Sequence, residues 1–291
     1  MSESVIADFV GKFNSEHTAR SEPTTGRVLL SQKRLVLAAD ETKTTIPLGD
    51  VIDVAVGHVP PDLGDFFDST VTVAFKKDDR RLVAVIETDD EKIDKFSTVL
   101  YKALLNGTEA TVKHPAEIGG RVTDQTYAPA KLALRPKAVT FNRADDAITV
   151  SLSQVTEFTR ETRDVAGAQR ATLTVKHNPN GQAVTTIAAL PSARKLSLLG
   201  RYIRLEYSDL MADLKDIELS DAEIELLVAV YSAGDIENVP LANVLDREAS
   251  QVTMLLNDLQ SKDLLASTDA GPTLTSKGRV IVNKHLDDVN D

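Results

Sequence analysis

The sequence contains no cysteine and no tryptophan, and aromatic residues make up only 4% of its 291 residues. The absence of cysteine excludes disulfide bonds, thiolate metal sites and cysteine nucleophiles. No apolar run approaches the roughly 20 residues that a membrane-spanning helix needs. The N-terminus, MSESVIADFVGKF, lacks the basic start and apolar stretch of a signal peptide. We therefore expect a soluble, cytoplasmic protein without membrane insertion.

Acidic residues exceed basic ones, with 44 Asp and Glu against 33 Lys and Arg and a net charge of −11. This excess, together with many small apolar residues, is typical of proteins adapted to concentrated salt. At about 1 M salt the Debye length is only about 3 Å, so recognition would depend on direct contact. The length predicts two to three domains.

A β-rich unit occurs twice. Residues 26–54 and 130–158 align without a gap, and their alternating apolar positions coincide along the whole alignment. Each unit continues with a predicted hairpin, STVTVAF with RLVAVIE and ATLTVKH with QAVTTIA, and then a helix. The first helix is predicted to open at Thr88, with Glu91 completing a capping box, and the second to run from Pro191 toward Lys215.

Several antiparallel strands followed by one helix predict a pleckstrin-homology-like barrel, with residues 107–129 as the linker between two such units. Farther on, Ser220 and Glu223 form a capping box, and three helices, a hairpin and a final helix opened by LTSKGR predict a winged helix-turn-helix. The predicted fold is α+β and multidomain: two tandem barrels, each capped by a helix, and then the winged helix. Its domains are 1–115 with a short N-terminal helix, 116–218 with a long C-terminal helix, and 219–291.

The sequence offers no catalytic set. The five histidines fall in separate predicted elements, and neither a glycine-rich phosphate loop nor a nucleophile elbow occurs. The acidic pairs Asp78-Asp79, Asp89-Asp90 and Asp145-Asp146 fall at predicted turns or helix starts, where Asp satisfies backbone donors. We therefore predict a binding protein without catalytic residues, metal or cofactor.

A winged helix most often binds DNA, and a DNA-binding transcriptional regulator is the alternative function. Residues 219–291 contain five Lys and Arg against thirteen Asp and Glu, a net charge of −8. Affinity for DNA comes largely from neutralised phosphates, so this acidic segment favours docking to protein. Binding to anionic membranes needs a basic rim on the barrels, and it is disfavoured because residues 1–115 have a net charge of −5 and residues 116–218 of only +2. An enzyme is the least favoured class.

Three groups of residues are candidates for a protein interface. Phe66 and Phe67 could anchor a partner or a second copy of the chain, or could instead close a barrel core. Arginine forks suit carboxylate or phosphate partners, but a solvated side chain on a barrel rim is the favoured interpretation of any single one. The exposed side of the helix from 247 to 262 offers a third surface. Separately, the apolar stripe from Leu196 to Leu214 is longer than one barrel needs for its cap, so its second half either forms a homodimer interface or packs on the winged helix. The remaining candidates are Arg160, Arg163 and Arg170 in the middle segment and Arg247, Gln251 and Lys262 at the C-terminal helix.

The opening GRVLLSQKRLVLA with TTIPLGDVIDV, and the ending LSDAEIELLVAVYSAG through LTSKGRVIV, resemble the CheF family of archaeal taxis adaptors. The resemblance implies a non-enzymatic adaptor in chemotaxis that binds the phosphorylated response regulator CheY. It implies further partners in CheC and CheD proteins and in the archaellum proteins ArlC, ArlD and ArlE, and recruitment to the cytosolic face of that motor. The family offers no residue motif for CheY binding that could be carried over to this sequence.

Overall fold

The protein is described by a computed structural model over residues 4–14, 23–40, 42–57, 69–179, 182–212, 214, 217–233, 241–268 and 271–290. Within these ranges the fold is α+β, with two large antiparallel sheets, a small hairpin and six helices. Phe66 and Phe67 lie outside the described residues.

The first sheet has seven strands and one covering helix. The elements are β1 (Val5–Asn14), β2 (Thr24–Ser31), β3 (Arg34–Ala38), β4 (Lys43–Pro47), β5 (Val51–Val56), β6 (Thr70–Lys77), β7 (Arg80–Glu87) and α1 (Asp90–Leu105). The strand order in the sheet is β4-β3-β2-β1-β7-β6-β5. Helix α1 packs on β1 and β6, where the rings of Phe9 and Phe96 meet edge to face at 5.2 Å.

The second sheet repeats the topology of the first. Its elements are β8 (Glu109–Ile118), β9 (Arg121–Val122), β10 (Ala128–Arg135), β11 (Ala138–Asn142), β12 (Ala147–Ser151), β13 (Val155–Val165), β14 (Ala168–His177), β15 (Val184–Ala189) and α2 (Ala193–Ala212). The strand order is β12-β11-β10-β8-β15-β14-β13, and the short β9 pairs with β8. The sequence repeat is confirmed, since β2 to β4 and the 3-10 turn Leu48–Asp50 recur with identical bounds 104 positions later.

The predicted closed barrels are wrong, because both large sheets are open in the described residues. The first sheet ends at β4 on one side and at β5 on the other. Between these two strands the chain makes the 3-10 turn Leu48–Asp50 rather than a hairpin turn. The edge strands β4 and β5 therefore each pair with only one neighbour. In the second sheet the equivalent turn Leu152–Gln154 separates the edge strands β12 and β13 in the same way.

Three local predictions are also corrected. The short N-terminal helix is instead β1: Ile6, Phe9, Val10 and Phe13 have helical spacing, but β1 pairs with β2 along most of its length. The linker 107–129 contains β8 and β9, because Gly119 and Gly120 form a tight turn with positive φ instead of a flexible connection. Helix α1 is capped by Asp89 rather than Thr88, with the Asp89 carboxylate accepting the Lys92 N–H at 3.0 Å.

Other turn predictions are confirmed. Asp78 and Asp79 form the two-residue turn between β6 and β7 with φ of 48° and 58°, as a hairpin turn of type I′ requires. The Asp146 carboxylate accepts a hydrogen bond from the Arg143 guanidinium across the turn between β11 and β12.

The described residues from 221 onward form helices and one hairpin. These helices enclose a core that includes Leu226, Leu227, Leu259 and Leu264, all fully buried. The elements are α3 (Asp221–Ala233), α4 (Leu241–Val244), α5 (Ala249–Ser261), β16 (Leu265–Thr268), β17 (Gly271–Leu274) and α6 (Ser276–Asn290).

Grouping by proximity gives two compact units, which differ from the three predicted domains. One contains residues 1–109, 131–134 and 190–205, and the other contains 110–130, 135–189 and 206–291. The first half of α2 thus belongs with the first sheet: Arg201 pairs with Asp53 of β5 at 2.7 Å, and the rings of Tyr101 and Tyr202 lie 5.7 Å apart. The three-domain division stays a prediction.

Candidate functional site

The solvent-exposed face of helix α5 carries no positively charged side chain. Gln251, Met254 and Asp258 are exposed along it, and Met254 retains 61% of its accessible surface. Val244, at the end of α4, is 58% exposed. Large exposed apolar side chains beside polar ones are typical of protein interfaces, whereas a DNA-reading helix would present lysine or arginine.

The two cations that flank α5 are bound within their own unit. The Arg247 guanidinium donates to the Glu225 carboxylate at 3.2 Å. The Lys262 ammonium donates to the Glu223 carboxylate at 2.7 Å and to the Glu218 carbonyl at 2.9 Å. Of the three C-terminal candidates, only Gln251 is thus fully presented to a partner, and partner contacts of all three stay a prediction.

Glu223 is the centre of this arrangement and is 6% exposed. Its carboxylate accepts the backbone N–H of Ser220 at 2.8 Å, which confirms the predicted capping box. Burial by itself raises the pKa of Glu223, but hydrogen bonds from Lys262 and Ser220 outweigh burial and hold the pKa below its ordinary value. Glu223 is therefore an ionised, fully engaged group of the fold.

The predicted arginine group divides between two faces of the ribbon formed by β13 and β14. Arg163 and Arg170 are directly opposite in the strand register, so they share one face. Arg160 is three residues from Arg163 on the same strand and therefore points to the other face. Glu161 pairs with Arg163 at 2.5 Å, and the Thr111 hydroxyl accepts from Arg170 at 3.2 Å.

The two ends of the apolar stripe from Leu196 to Leu214 both pack within the chain. Leu196, Leu199 and Ile203 are buried in the first unit. Leu214, just beyond α2, packs on the C-terminal core. This supports the alternative to a dimer interface, and a homodimer stays a prediction.

Two histidines that are far apart in the sequence meet in the second sheet. The Thr186 hydroxyl lies 2.7 Å from His114 Nδ1 and 3.0 Å from His177 Nε2, and the two rings stack at 5.9 Å. Burial and the neighbouring His114 lower the pKa of His177 to about 4. Burial, with Arg143 nearby, also lowers the pKa of His114. Sequence analysis missed this cluster because strand pairing alone brings β8, β14 and β15 together.

The cluster predicts a loss of stability in acid. The unfolded chain takes up a proton at His177 near pH 6.5, whereas the folded chain does so only near pH 4. The contribution of His177 to the free energy of unfolding should therefore decrease by about 3 kcal/mol as the pH falls through this interval, and then level off. Urea unfolding at several pH values measures this decrease, and His177→Gln should reduce it. An imidazole titration of His177 by NMR with a midpoint at 6.5 or above would contradict the prediction.

Within the described ranges no group of three or more His, Asp or Glu side chains is placed to hold a metal ion. Among the described helices, none combines the length and apolar character that crossing a bilayer requires.

Comparison with known proteins gives a family and two full-length relatives. The sequence model of CheF-arch, described as archaeal chemotaxis signal transduction system protein F, matches residues 5–209. The chain is 49% identical to taxis protein CheF2 of Halobacterium salinarum over 290 residues, which cover 100% of both chains. It is 26% identical to taxis protein CheF1 of the same organism over 284 residues, covering 96% of this chain and 95% of that protein.

One solved structure, the inner membrane complex sub-compartment protein 3 of Toxoplasma gondii, is a distant neighbour. It is 10% identical, covers 42% of this chain and 88% of its own, and superposes with a TM-score of 0.27. The match to the family model ends within α2, so it covers both repeated sheets, while the helices from α3 onward are covered by the two full-length relatives.

Proposed function

Because the chain belongs to the CheF family of archaeal chemotaxis signal transduction proteins, we propose that it is a non-enzymatic adaptor. It binds the phosphorylated form of the response regulator CheY and couples it to the archaellum motor. Its further partners are CheC and CheD proteins and the motor proteins ArlC, ArlD and ArlE, at the cytosolic face of that motor. In this proposal the two sheet-and-helix repeats are pleckstrin-homology-like modules and the C-terminal helices form a winged helix.

The exposed face of α5 is the surface we propose for CheY, and its composition is the observation that carries this assignment. Met254 supplies an exposed apolar contact, and Gln251 supplies hydrogen-bonding groups. The neighbouring cations are held by Glu225 and Glu223, so no cluster of free positive charge is presented by the described part of this face. Such a surface fits a folded protein partner better than a nucleic acid.

Phosphorylation acts on the partner rather than on this chain. It stabilises one conformation of the response regulator, and an adaptor that prefers that conformation responds to the signal without any change in its own chemistry. A tenfold preference requires only about 1.4 kcal/mol of differential binding free energy. A few contacts at one helix face are sufficient for this.

The test is a titration of the full chain with phosphorylated and unphosphorylated CheY. We expect Met254→Asp to weaken binding of the phosphorylated form about tenfold, because the substitution places a charge at the centre of the contact. Val122→Asp is the matched control, since Val122 is 73% exposed on β9. Equal affinity of both CheY forms would overturn the adaptor function, whereas equal loss in both variants would overturn only the assignment to α5.

DNA binding is the competing function, and the salt dependence of the binding affinity distinguishes it from the adaptor function. Contacts to phosphates would give an affinity for duplex DNA that falls steeply as salt increases. A gel shift at low and high salt measures this. Specific, salt-sensitive retention of duplex DNA would favour the transcriptional regulator over the adaptor.

A further inference from the structure

The hairpin turn between β6 and β7 concentrates positive charge in an acidic chain. Residues 76–81 read KKDDRR, so four Lys and Arg stand against two Asp and give a net charge of +2, whereas residues 1–115 as a whole have a net charge of −5. All six residues are exposed to solvent. We call this segment the β6–β7 tip, and the proposed function makes no use of it.

The strand register places the cations of the β6–β7 tip opposite one another. Lys77 is opposite Arg80, and Lys76 is opposite Arg81. Like charges directly opposite each other across an antiparallel pair repel and lower stability. Because two such pairs are adjacent at this end of the hairpin, these side chains weaken the hairpin rather than stabilise it.

The repulsion is only partly relieved within the described ranges. The Lys76 ammonium pairs with the Asp79 carboxylate at 2.9 Å, but the Asp79 side chain is 95% exposed, so the surrounding water screens most of this attraction. No described carboxylate forms an ion pair with Lys77 or Arg80. The face of the hairpin that carries Lys77 and Arg80 therefore presents two cations to solvent.

The second sheet shows that the fold does not require opposed cations at this hairpin. Strands β14 and β15 are the counterparts of β6 and β7 in the repeated strand order. Their register pairs His177 with Val184 and Lys176 with Thr185, so no two Lys or Arg side chains oppose each other in the described part of that hairpin.

An opposed pair of cations elsewhere in the chain is compensated. Arg163 and Arg170 are opposite each other in β13 and β14. The Glu161 carboxylate pairs with Arg163 at 2.5 Å, and the Thr111 hydroxyl accepts a hydrogen bond from Arg170 at 3.2 Å. The β6–β7 tip thus differs in leaving an opposed pair without such a partner among the described residues.

We propose that the β6–β7 tip is a docking site for an acidic segment of a protein partner, whose carboxylates lie beside Lys77 and Arg80. The ammonium and the guanidinium supply the charge-assisted hydrogen bonds that carboxylates accept. A carboxylate bound beside both cations also removes the repulsion that they exert on each other in the free chain. At about 1 M salt, where the Debye length is about 3 Å, such direct contact is the effective form of charge recognition.

The apex of the hairpin favours a protein segment over a bilayer or duplex DNA. Asp78 and Asp79 form the turn itself and are exposed. A broad anionic surface that approaches the apex therefore meets two carboxylates first. A peptide segment is narrow enough to lie along the face with Lys77 and Arg80 and to avoid the apex. The site is independent of the α5 surface.

Two charge-matched double variants test the site. Lys77→Gln with Arg80→Gln removes the proposed contacts, and Lys76→Gln with Arg81→Gln is the control, since it removes the same charge from the opposite face of the same hairpin. Because it relieves an opposed pair, we expect the first variant to unfold at the same or a higher urea concentration than the wild type. A lower urea midpoint would show that the two cations stabilise the fold, and would overturn the argument from repulsion.

The probes are peptides selected by display of a random twelve-residue library on the full-length protein. We expect the selected sequences to be rich in Asp and Glu, and the variant at 77 and 80 to bind them at least about tenfold more weakly while the control variant binds them like the wild type. Selected peptides without acidic residues, equal binding by all three proteins, or equal losses in both variants would overturn the proposal. So would loss, in the variant at 77 and 80 alone, of binding to phosphatidylglycerol vesicles or duplex DNA, because the tip would then recognise lipid or nucleic acid.

Titration of the variant at 77 and 80 with phosphorylated CheY distinguishes this proposal from the adaptor function. We expect unchanged CheY affinity together with weakened peptide binding. Loss of both would place CheY itself at the β6–β7 tip and would overturn the independence of this site from α5.

Discussion

Gly278→Ala is expected to lower the free energy of unfolding by about 3 kcal/mol, since it places a methyl group where backbone already lies. A Cβ atom built on Gly278 would be 2.2 Å from the Leu264 carbonyl oxygen. That oxygen also accepts a hydrogen bond from the Thr275 N–H at 3.0 Å. If the oxygen moved, it would lose this hydrogen bond, which holds the segment between β17 and α6 against Leu264. The glycine of the LTSKGR segment is therefore required for the close approach of α6 to the end of α5.

The same substitution at Gly200 is the control for this prediction. Gly200 lies within α2, and a Cβ atom there meets nothing within 4 Å. Gly200→Ala should raise the free energy of unfolding by about 1 kcal/mol, because alanine is the better helix former. Urea unfolding followed by circular dichroism measures both variants. Equal and small effects at the two glycines would contradict the close approach at Gly278.

Lys262→Met is expected to destabilise the protein by about 3 kcal/mol, because it leaves the Glu223 carboxylate buried without its cation. Glu223→Gln should cost less, since the amide carries no charge. The double variant should then lose less free energy of unfolding than the two single variants lose together, because each single variant already removes the whole ion pair. Urea unfolding of all four proteins gives this double-mutant cycle.

The pH dependence checks the same interaction independently. The pKa of Glu223 is lowered in the folded chain, so the stability it contributes is present above the pKa of the unfolded chain and is lost as the pH falls through the folded pKa. The difference between the wild type and Lys262→Met should therefore shrink in acid. A difference that stays constant from neutral pH to pH 3 would show that Lys262 stabilises through packing of its alkyl chain instead.

Lys262 also illustrates why candidate site residues could be named from sequence but not assigned a role. Its position beside an acidic helix is visible in the sequence as a docking candidate, and so is the capping box of Ser220 and Glu223. That the Lys262 ammonium reaches Glu223 across 39 residues is a tertiary contact. Equally, the spacing of His114 and His177 gives no sign that Thr186 bridges them.

The amino-acid pattern alone was enough to predict the repeat, the strands from β2 to β4 and from β10 to β12, and the turn at Asp78 and Asp79. These depend on alternation and on backbone preferences that act over a few residues. Long-range contacts, in contrast, make β1 a strand, join β8 to the second sheet and place the first half of α2 with the first sheet. Helical and extended patterns overlap in short apolar segments, and which of them forms depends on hydrogen-bond partners that are distant in sequence. The partner of an apolar helix face is likewise undetermined until long-range packing selects it.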